Sequence, residues 1–239
     1  MSPARRRALW ILLVAAVVMI LARTYRAERA FAPRPAAQRP ALLLLTGLPL
    51  LFGEDFSIRD VGSPVLKTLQ ESYRVVPVST TAPAELAKGR LLLMAQPNAQ
   101  TAENLVALDA WVRRGGRVLL LADPLLEWPS QRPLGDPLRP PLMFADTGLI
   151  GHWGLRLDAP DARGPRHEKL GNADVLTVSP GLLTGGCPIS ADRLVARCSV
   201  GQGRATITAD ADLLDVDQLG GDARNNLNGL LAELAALRQ

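Results

Sequence analysis

The stretch TAENLVALDAWVRRGGRVLLLADP at residues 101–124 decides the fold. Residues 101–114 have the pattern of an amphipathic helix with Thr101 as its N-cap. One apolar stripe runs along that helix: Leu105, Leu108, Trp111 and Val112. Gly115-Gly116 ends the helix, and the continuous apolar run at 117–122 is typical of a strand buried on both faces. The stretch therefore predicts a helix that leads into a central strand of a parallel sheet.

The same alternation of strand and helix patterns extends in both directions along the chain. Continuous apolar runs at 41–46 (ALLLLT) and 90–95 (RLLLMA) predict two more buried strands. Residues 63–73 predict a helix capped by Ser63, and residues 222–237 predict a closing helix. Weaker patterns predict strands at 74–78, 174–178, 193–199 and 204–209, a short helix at 81–87, another within 142–153, and a hairpin around Gly201-Gln202-Gly203. Strands that alternate with helices predict an α/β fold with a mostly parallel, doubly wound sheet.

An apolar segment near the N-terminus predicts a membrane anchor. Residues 8–22 (ALWILLVAAVVMILA) carry no charge, and arginines flank them on both sides. A cleaved signal peptide is the alternative, but Ile20 stands two positions before Ala22, where cleavage favours a small residue. We therefore expect a transmembrane signal anchor at 8–22 after a cytoplasmic tail at 1–7. An Arg/Pro-rich linker at 23–40 and an α/β domain at 41–239 would follow.

The distribution of charge argues against a nucleic-acid-binding protein. The chain has 27 basic and 23 acidic residues, but eight of the basic residues and one acidic residue precede residue 40. The remaining chain therefore has 19 basic and 22 acidic residues. A nucleic-acid-binding domain needs a basic patch of its own, and the sequence pattern shows none. Arginines that flank an apolar segment suit anionic lipid headgroups instead.

The chain contains two cysteines. Cys187 and Cys198 lie in what the pattern predicts to be two short strands and a turn. A disulfide between them suits an oxidising compartment, and two buried free thiols are the alternative. No CxxC motif or Cys/His cluster is present, so the sequence predicts no zinc site.

Polar residues follow the predicted parallel strands and mark the candidate ligand site. Ligands of doubly wound sheets bind beyond the carboxyl ends of the strands, where Asn98, Asp123, Asp210 and Asp212 are expected. Three aspartates there could gather around a cation or an amine. Alternatively, each aspartate caps the turn that follows it. No cofactor and no metal is predicted.

Residues 124–170 contain many prolines and little periodicity. Trp128, Trp153 and the run Arg139-Pro140-Pro141 lie in this excursion. Long irregular segments in compact domains are commonly either functional or mobile. A partner-binding surface and a merely mobile loop are both consistent with this pattern.

Three segments together resemble a known family. They are residues 108–124 (LDAWVRRGGRVLLLADP), 152–157 (HWGLRL) and 201–214 (GQGRATITADADLL). They resemble the uncharacterised ABC-type transport system family, which includes gliding-motility auxiliary proteins, and its relatives with a class I glutamine amidotransferase-like domain. The resemblance implies a flavodoxin-like sheet with helices on both faces, preceded by one transmembrane helix. It also implies a bacterial inner-membrane protein whose domain is periplasmic, with an ABC transporter permease or other envelope proteins as partners.

The chain departs from the catalytic members of this fold. Catalysis there requires a cysteine on a sharp strand-to-helix turn, and neither a G-x-C-x-G nor a G-x-S-x-G motif occurs here. We therefore expect no catalytic residues and a membrane-anchored module that binds a partner or ligand. The alternative is a hydrolase or amidotransferase-like enzyme with an acidic site built on Asp123, Asp210 and Asp212.

Overall fold

The computed structural model describes residues 33–53 and 62–239. The strands are β1 Ala41–Thr46, β2 Arg74–Pro77, β3 Leu91–Ala95, β4 Arg117–Leu121, β5 Leu155–Asp158, β6 Pro165–Leu170, β7 Ala173–Val178, β8 Leu182–Gly185, β9 Val195–Val200 and β10 Gly203–Thr208. The α-helices are α1 Pro64–Ser72, α2 Pro83–Leu86, α3 Ala102–Arg113, α4 Leu149–His152, α5 Val216–Leu219 and α6 Ala223–Leu237. Three 3₁₀ turns lie at Ala36–Gln38, Asp212–Leu214 and Gly220–Asp222.

One open sheet of six strands organises the described residues. Its order is β2-β1-β3-β4-β10-β9, and all neighbours are parallel except β10 and β9, which form an antiparallel hairpin. The chain passes from β1 to β2 on one side and then returns to β3 on the other side of β1. The connection therefore switches direction between β1 and β3, which is where doubly wound sheets open a crevice at the carboxyl ends of their strands.

Two apolar layers cover the sheet because alternate residues of each strand point to opposite faces. Leu42 and Leu44 of β1 face the layer that contains α1 and α6, and Leu43 and Leu45 face the layer that contains α3. The four leucines are buried. Each buried leucine contributes about 1.5–3 kcal/mol relative to an exposed one, so the two-sided burial explains why these strands read as unbroken apolar runs.

The two N-cap residues predicted from the sequence cap their helices in the structure. The Ser63 hydroxyl accepts a hydrogen bond from Leu66 N at 3.1 Å, and Pro64 occupies the first turn of α1. The Thr101 hydroxyl accepts from Asn104 N at 3.3 Å at the start of α3. These N-caps satisfy backbone N–H groups that have no partner within the helix.

The region after β4 differs from the sequence prediction. The short helix expected within 142–153 and the strand expected at 174–178 are both present, as α4 and β7, but β7 pairs with β6 in a two-stranded sheet outside the main one. A second small sheet pairs β5 with β8. The strands β6 and β8 escape prediction because β6 (PRHEKL) has a charged, half-exposed pattern and β8 (LLTG) is only four residues long.

The predicted fold class included a transmembrane helix, and the structure corrects this point. Within residues 33–53 and 62–239, no helix is both long enough and apolar enough to cross a membrane. The predicted anchor at 8–22 lies outside the described residues, as do the tail at 1–7 and most of the linker. The structure therefore gives no support to a single-pass inner-membrane protein. What it shows is a mixed α/β fold with a mostly parallel six-stranded sheet.

The described part of the predicted linker lies against the domain. Arg34 N donates to Glu71 O at 2.9 Å, and the Arg34 guanidinium lies 5.9 Å from the centre of the Tyr73 ring. Arg39 Nε donates to Arg34 O at 2.8 Å. Residues 33–40 therefore cross the end of the sheet at which β1 and β2 begin.

Candidate functional site

The carboxyl ends of β1, β3, β4 and β10 lie at one edge of the sheet, as expected for parallel neighbours. The predicted site residues follow these strands in the chain. Asp123 comes two residues after β4, and Asp210 comes two residues after β10. Because β4 and β10 pair directly, the structure brings these two aspartates together with Asp212.

Asp123 joins the loops that follow β4 and β10. Its side chain is buried, with Oδ1 accepting from Leu125 N at 2.8 Å and Oδ2 accepting from Ala211 N at 2.9 Å. Both carboxylate oxygens therefore serve backbone N–H groups. This is the capping role that short acidic side chains commonly take in turns.

Asp210 and Asp212 have the same kind of partner. Asp210 Oδ1 accepts from Leu213 N at 2.7 Å, and Oδ2 accepts from Val178 N at 3.0 Å. Asp212 Oδ2 accepts from Glu127 N at 2.8 Å. Both side chains are buried. The three aspartates thus hold together three segments of the chain: the loop after β4, the loop after β10 and the end of β7.

Burial raises the pKa of all three carboxyl groups. Desolvation is the largest cause for each, and repulsion between neighbouring carboxylates adds to it. The pKa of Asp123 rises to about 6 and that of Asp212 to about 7, while the pKa of Asp210 rises well above its usual value. Hydrogen bonds from backbone N–H groups oppose the rise.

The hydrogen bonds of the three aspartates join segments of the backbone. Among residues 33–53 and 62–239, no group of three or more His, Cys, Asp or Glu side chains could hold a metal ion. Metal ligands need oxygen lone pairs directed at a common point, whereas the carboxylates of Asp123 and Asp210 each turn both oxygens toward N–H donors. The hydrogen bonds therefore favour the capping interpretation over a cation site.

Asn98 does not join the aspartates. It is exposed and lines a separate groove of about 210 Å³ at the switch point between β1 and β3. Thr46, Gly47, Phe52 and Leu138 also line this groove. Asn98 therefore lies at the predicted edge of the sheet, where it lines a groove separate from the aspartates.

Gln96 has a role at this edge that the sequence did not predict. It follows β3 directly, is fully buried and has a φ of +42°, which is uncommon for a residue other than glycine. Its Oε1 accepts from Asp123 N at 2.9 Å, and its Nε2 donates to Asp123 O at 3.1 Å and to Pro141 O at 3.2 Å. No sequence pattern could reveal these contacts because the partners lie 27 and 45 residues away.

A strained turn after a central strand is where hydrolases of α/β type present their nucleophile. Here that position holds a glutamine whose amide is directed into the protein and has hydrogen-bond partners on both its oxygen and its nitrogen. A carboxamide is not a nucleophile, so the turn after β3 supplies none.

Residues 124–147, named here the strap, cover the carboxyl ends of β3 and β4. Phe144 N donates to Asp123 O at 2.6 Å, and Leu126 N donates to Leu142 O at 3.0 Å. The contact with the sheet is close, because a Cβ at Gly47 would lie 2.8 Å from Pro141 Cδ and 2.6 Å from Gln96 O. The N-terminal half of the predicted excursion is thus packed onto the place where ligands of such folds bind.

The strap and the loop after β1 carry most of the exposed large apolar side chains of the described residues. Five of the six are on these two segments: Phe52, Leu134, Leu138, Leu142 and Met143. The sixth is Val106 on α3. Exposed apolar side chains that occur together mark interaction sites more often than single ones do.

Two other features singled out in the sequence lie away from this edge. Cys187 and Cys198 form a disulfide that joins the segment after β8 to β9. His152 is exposed, with Nε2 at 3.5 Å from Asp109 Oδ2, and His167 is exposed on β6. No described nucleophile accompanies either histidine in the hydrogen bonds of the structure.

Comparisons of the sequence with known proteins give no relatives. No protein-family model matches the chain. No curated protein matches it either.

Comparison with solved structures finds several of similar fold. The N-terminal domain of mmIFT52 matches with a TM-score of 0.50 and 13% identity over 82% of this chain and 97% of that one. The cytoplasmic protein STM1381 from Salmonella typhimurium LT2 matches with a TM-score of 0.51 and 10% identity over 81% of this chain and 99% of that one. The exo-β-1,4-mannosidase Op5Man5 from Opitutaceae bacterium strain TAV5 matches with a TM-score of 0.50 and 14% identity over 84% of this chain. The chain spans only 36% of the mannosidase's length.

These likenesses concern the fold alone, because the identities are low. None of the three proteins is described as an amidotransferase or as a component of an ABC transporter. The predicted amidotransferase-like domain and the predicted association with an ABC transporter thus find no support and are dropped. What the comparisons establish is that the chain has an α/β fold that also occurs in proteins of differing description.

Proposed function

We propose that this chain is a non-catalytic α/β module that binds another protein through the strap. The observation that carries the proposal is the strap itself: it covers the carboxyl ends of the central strands and turns apolar side chains outward. Leu138 is 57% exposed and Met143 is 63% exposed, which leaves both available for contact. Apolar side chains held on a fixed backbone are what a protein partner buries at the centre of an interface.

The groove that contains Asn98, beside the strap, suits the side chains of a protein partner better than a small ligand. It combines the apolar side chains of Phe52 and Leu138 with the polar groups of Thr46 and Asn98. A volume of about 210 Å³ is below the range of about 300–1,000 Å³ that is usual for small-molecule pockets. The groove suits one or two side chains of a partner that lies across the strap.

An enzyme with an acidic site is the other function considered, and the hydrogen bonds weigh against it. Asp123 and Asp210 each use both carboxylate oxygens to accept from backbone N–H groups. Gln96 fills the turn after β3 with a buried and fully bonded amide. A catalytic carboxylate needs an oxygen that reaches the substrate.

Site-specific photocrosslinking in cells that express the full chain tests the proposal. A photoreactive amino acid replaces Leu138 or Met143, and the control carries it at Val106, which is 69% exposed on α3. We expect one adduct of the same mass from positions 138 and 143 and none of that mass from 106. The L134S/L142S variant should weaken this adduct while the chain stays folded.

Two results would contradict the proposal. Equal crosslinking from position 106 would show that the contacts are not specific to the strap. An adduct of twice the mass of the chain as the sole product would identify a dimer of this chain instead of a complex with another protein.

A further inference from the structure

Arginines gather at the edge of the sheet opposite the strap, where the parallel strands begin. Arg74 is the first residue of β2, Arg90 precedes β3, Arg117 is the first residue of β4, and Arg204 is the second residue of β10. The strand register pairs Arg117 with Arg204 directly, and Arg117 N donates to Arg90 O at 3.0 Å. Neighbouring strands are about 4.8 Å apart, so these side chains form a row along one edge of the sheet.

The segments that end at this edge extend the row into a face. We name it the arginine face and define it by eight residues: Arg34, Arg39, Arg74, Arg90, Arg114, Arg117, Arg204 and Arg238. Five of them are exposed, and the remaining three, which donate hydrogen bonds to backbone carbonyl groups, are half-buried. The face contains the ends of α1, α3 and α6 as well as the starts of the strands.

The arginine face is not neutralised by the protein. Within the described residues, none of its eight arginines forms an ion pair with an Asp or Glu side chain. Glu71 is the one acidic side chain in the segments 34–41, 71–74, 88–91, 111–117, 200–204 and 234–238. Glu233, directly before the last of these segments, is paired with Arg197. Like charges held together without partners oppose folding, so their collection at one edge calls for an explanation.

Helix dipoles explain only part of this collection. Arg114 and Arg238 follow the C-termini of α3 and α6, where a positive charge is favourable. Arg74, Arg90 and Arg204 are at the starts of strands, and strands have almost no net dipole. Arg34 and Arg117 donate to Ser72 O and Leu237 O, the last carbonyl groups of α1 and α6. Helix C-termini therefore account for four of the eight arginines and leave Arg74, Arg90 and Arg204 unexplained.

We infer that the arginine face binds an anionic lipid surface. The face is a row of strand starts and helix ends along one edge of the sheet, and its five exposed arginines can contact several anionic headgroups at once. It offers no exposed aromatic side chain for base stacking, because Tyr73 is buried and Trp111 is partly buried. The rest of the domain carries the compensating negative charge, so the molecule would bind with one end directed at the lipid.

This contact is peripheral and does not depend on a membrane-spanning helix. It is also independent of the proposed protein partner, because the strap lies at the opposite ends of the strands.

Cosedimentation of the full chain with vesicles tests the inference. One set of vesicles contains phosphatidylcholine alone, and the other contains equal parts of phosphatidylcholine and phosphatidylglycerol. The excess binding is the fraction bound to the anionic vesicles minus the fraction bound to the phosphatidylcholine vesicles. Any lipid contact common to both sets cancels in this difference. We expect this excess to fall about tenfold or more in the R90E/R204E variant, because each basic residue near an anionic surface adds to the binding.

The matched control is R163E/R224E, which changes the net charge by the same amount at two exposed arginines away from the face. It should keep most of the excess binding. The neutral variant R90Q/R204Q should fall between wild type and R90E/R204E. Circular dichroism of each variant shows whether it is folded, and physiological salt should reduce the excess of the wild type.

Three results would overturn the inference. The excess could be the same in R90E/R204E and wild type, or it could fall equally in R163E/R224E. A duplex DNA fragment could also bind at physiological salt in a manner that requires Arg90 and Arg204 while anionic vesicles do not. Strap crosslinking in R90E/R204E should be unchanged, which separates failure here from failure of the proposed function.

Discussion

At the scale of single residues, Gln96 connects β3, the end of β4 and the strap through one amide. Replacing it with alanine leaves the buried Asp123 N–H without a partner. We expect Gln96→Ala to lower the free energy of unfolding by about 2–3 kcal/mol. Urea denaturation measures the loss, and limited proteolysis should show earlier cleavage in the strap. Gln96→Glu is the comparison variant. Its carboxylate would face the carbonyl oxygens of Asp123 and Pro141, so it should also be less stable than the wild type. A Glu variant as stable as the wild type would contradict the hydrogen bonds assigned to Gln96.

Asp212 gives a pH-dependent prediction at the same scale. Its pKa in the folded protein is about 7, against about 3.9 for an unfolded chain, so the folded state binds the proton more tightly. Its contribution to stability is therefore complete below about pH 4 and decreases as the pH rises to about 7. We expect Asp212→Asn to remove this dependence and to stabilise the protein by roughly 1–3 kcal/mol at pH 8, with little effect at pH 4.

Asp210→Asn is the control for that experiment. Both oxygens of Asp210 accept from backbone N–H groups, so an amide nitrogen in place of one oxygen would face a donor. At pH 8 this variant should therefore be less stable than Asp212→Asn, by about 1–3 kcal/mol, because it loses a backbone hydrogen bond that Asp212→Asn can keep. An Asp210→Asn variant as stable as Asp212→Asn in thermal denaturation across the same pH range would show that Asp210 does not cap two N–H groups.

At the scale of elements, the β9–β10 hairpin depends on close approach to α3. A Cβ on Gly203 would lie 2.0 Å from Val112 O and 2.3 Å from Gly116 O, both of which are backbone atoms. We expect Gly203→Ala to destabilise the protein by about 3 kcal/mol or more, since the helix end or the strand must shift. Gly186→Ala serves as the control because no atom lies within 4 Å of its added Cβ. Denaturation curves that were the same for both variants would contradict the packing of the hairpin on α3.

At the scale of the whole molecule, the disulfide between Cys187 and Cys198 holds the region after β8 to the edge of the main sheet. It closes a loop of 11 residues, for which loop entropy predicts a contribution of about 2–3 kcal/mol. We expect C187S/C198S to lower the melting temperature of the protein. A reductant should lower the melting temperature of the wild type toward that of the variant and leave the variant unchanged. A wild type insensitive to reductant under unfolding conditions would argue that the two sulfurs are not bonded.

Elements held by interactions within a few residues could be predicted from the sequence, whereas features that depend on distant residues could not. β1, α1, β3, α3, β4 and α6 are each predicted close to their observed bounds, because apolar periodicity and capping residues act within one element. β6 escapes prediction since its pattern is charged and its pairing with β7 depends on a turn and on packing against α6. The edge of the sheet that carries Asp123, Asp210 and Asp212 is predictable from topology, whereas their bonding partners are not.

The sequence by itself determined the alternation of strands and helices in this protein, the two-sided burial of its central strands and the positions of its main caps. These depend on neighbours within a few residues, so local physical chemistry is sufficient. Only the tertiary structure decided that the aspartates cap turns, that the strap covers the carboxyl ends, and that eight arginines share one face. Each of these depends on residues far apart in the chain. The net charge of the domain did not reveal the arginine face, because net charge says nothing about where folding places each side chain.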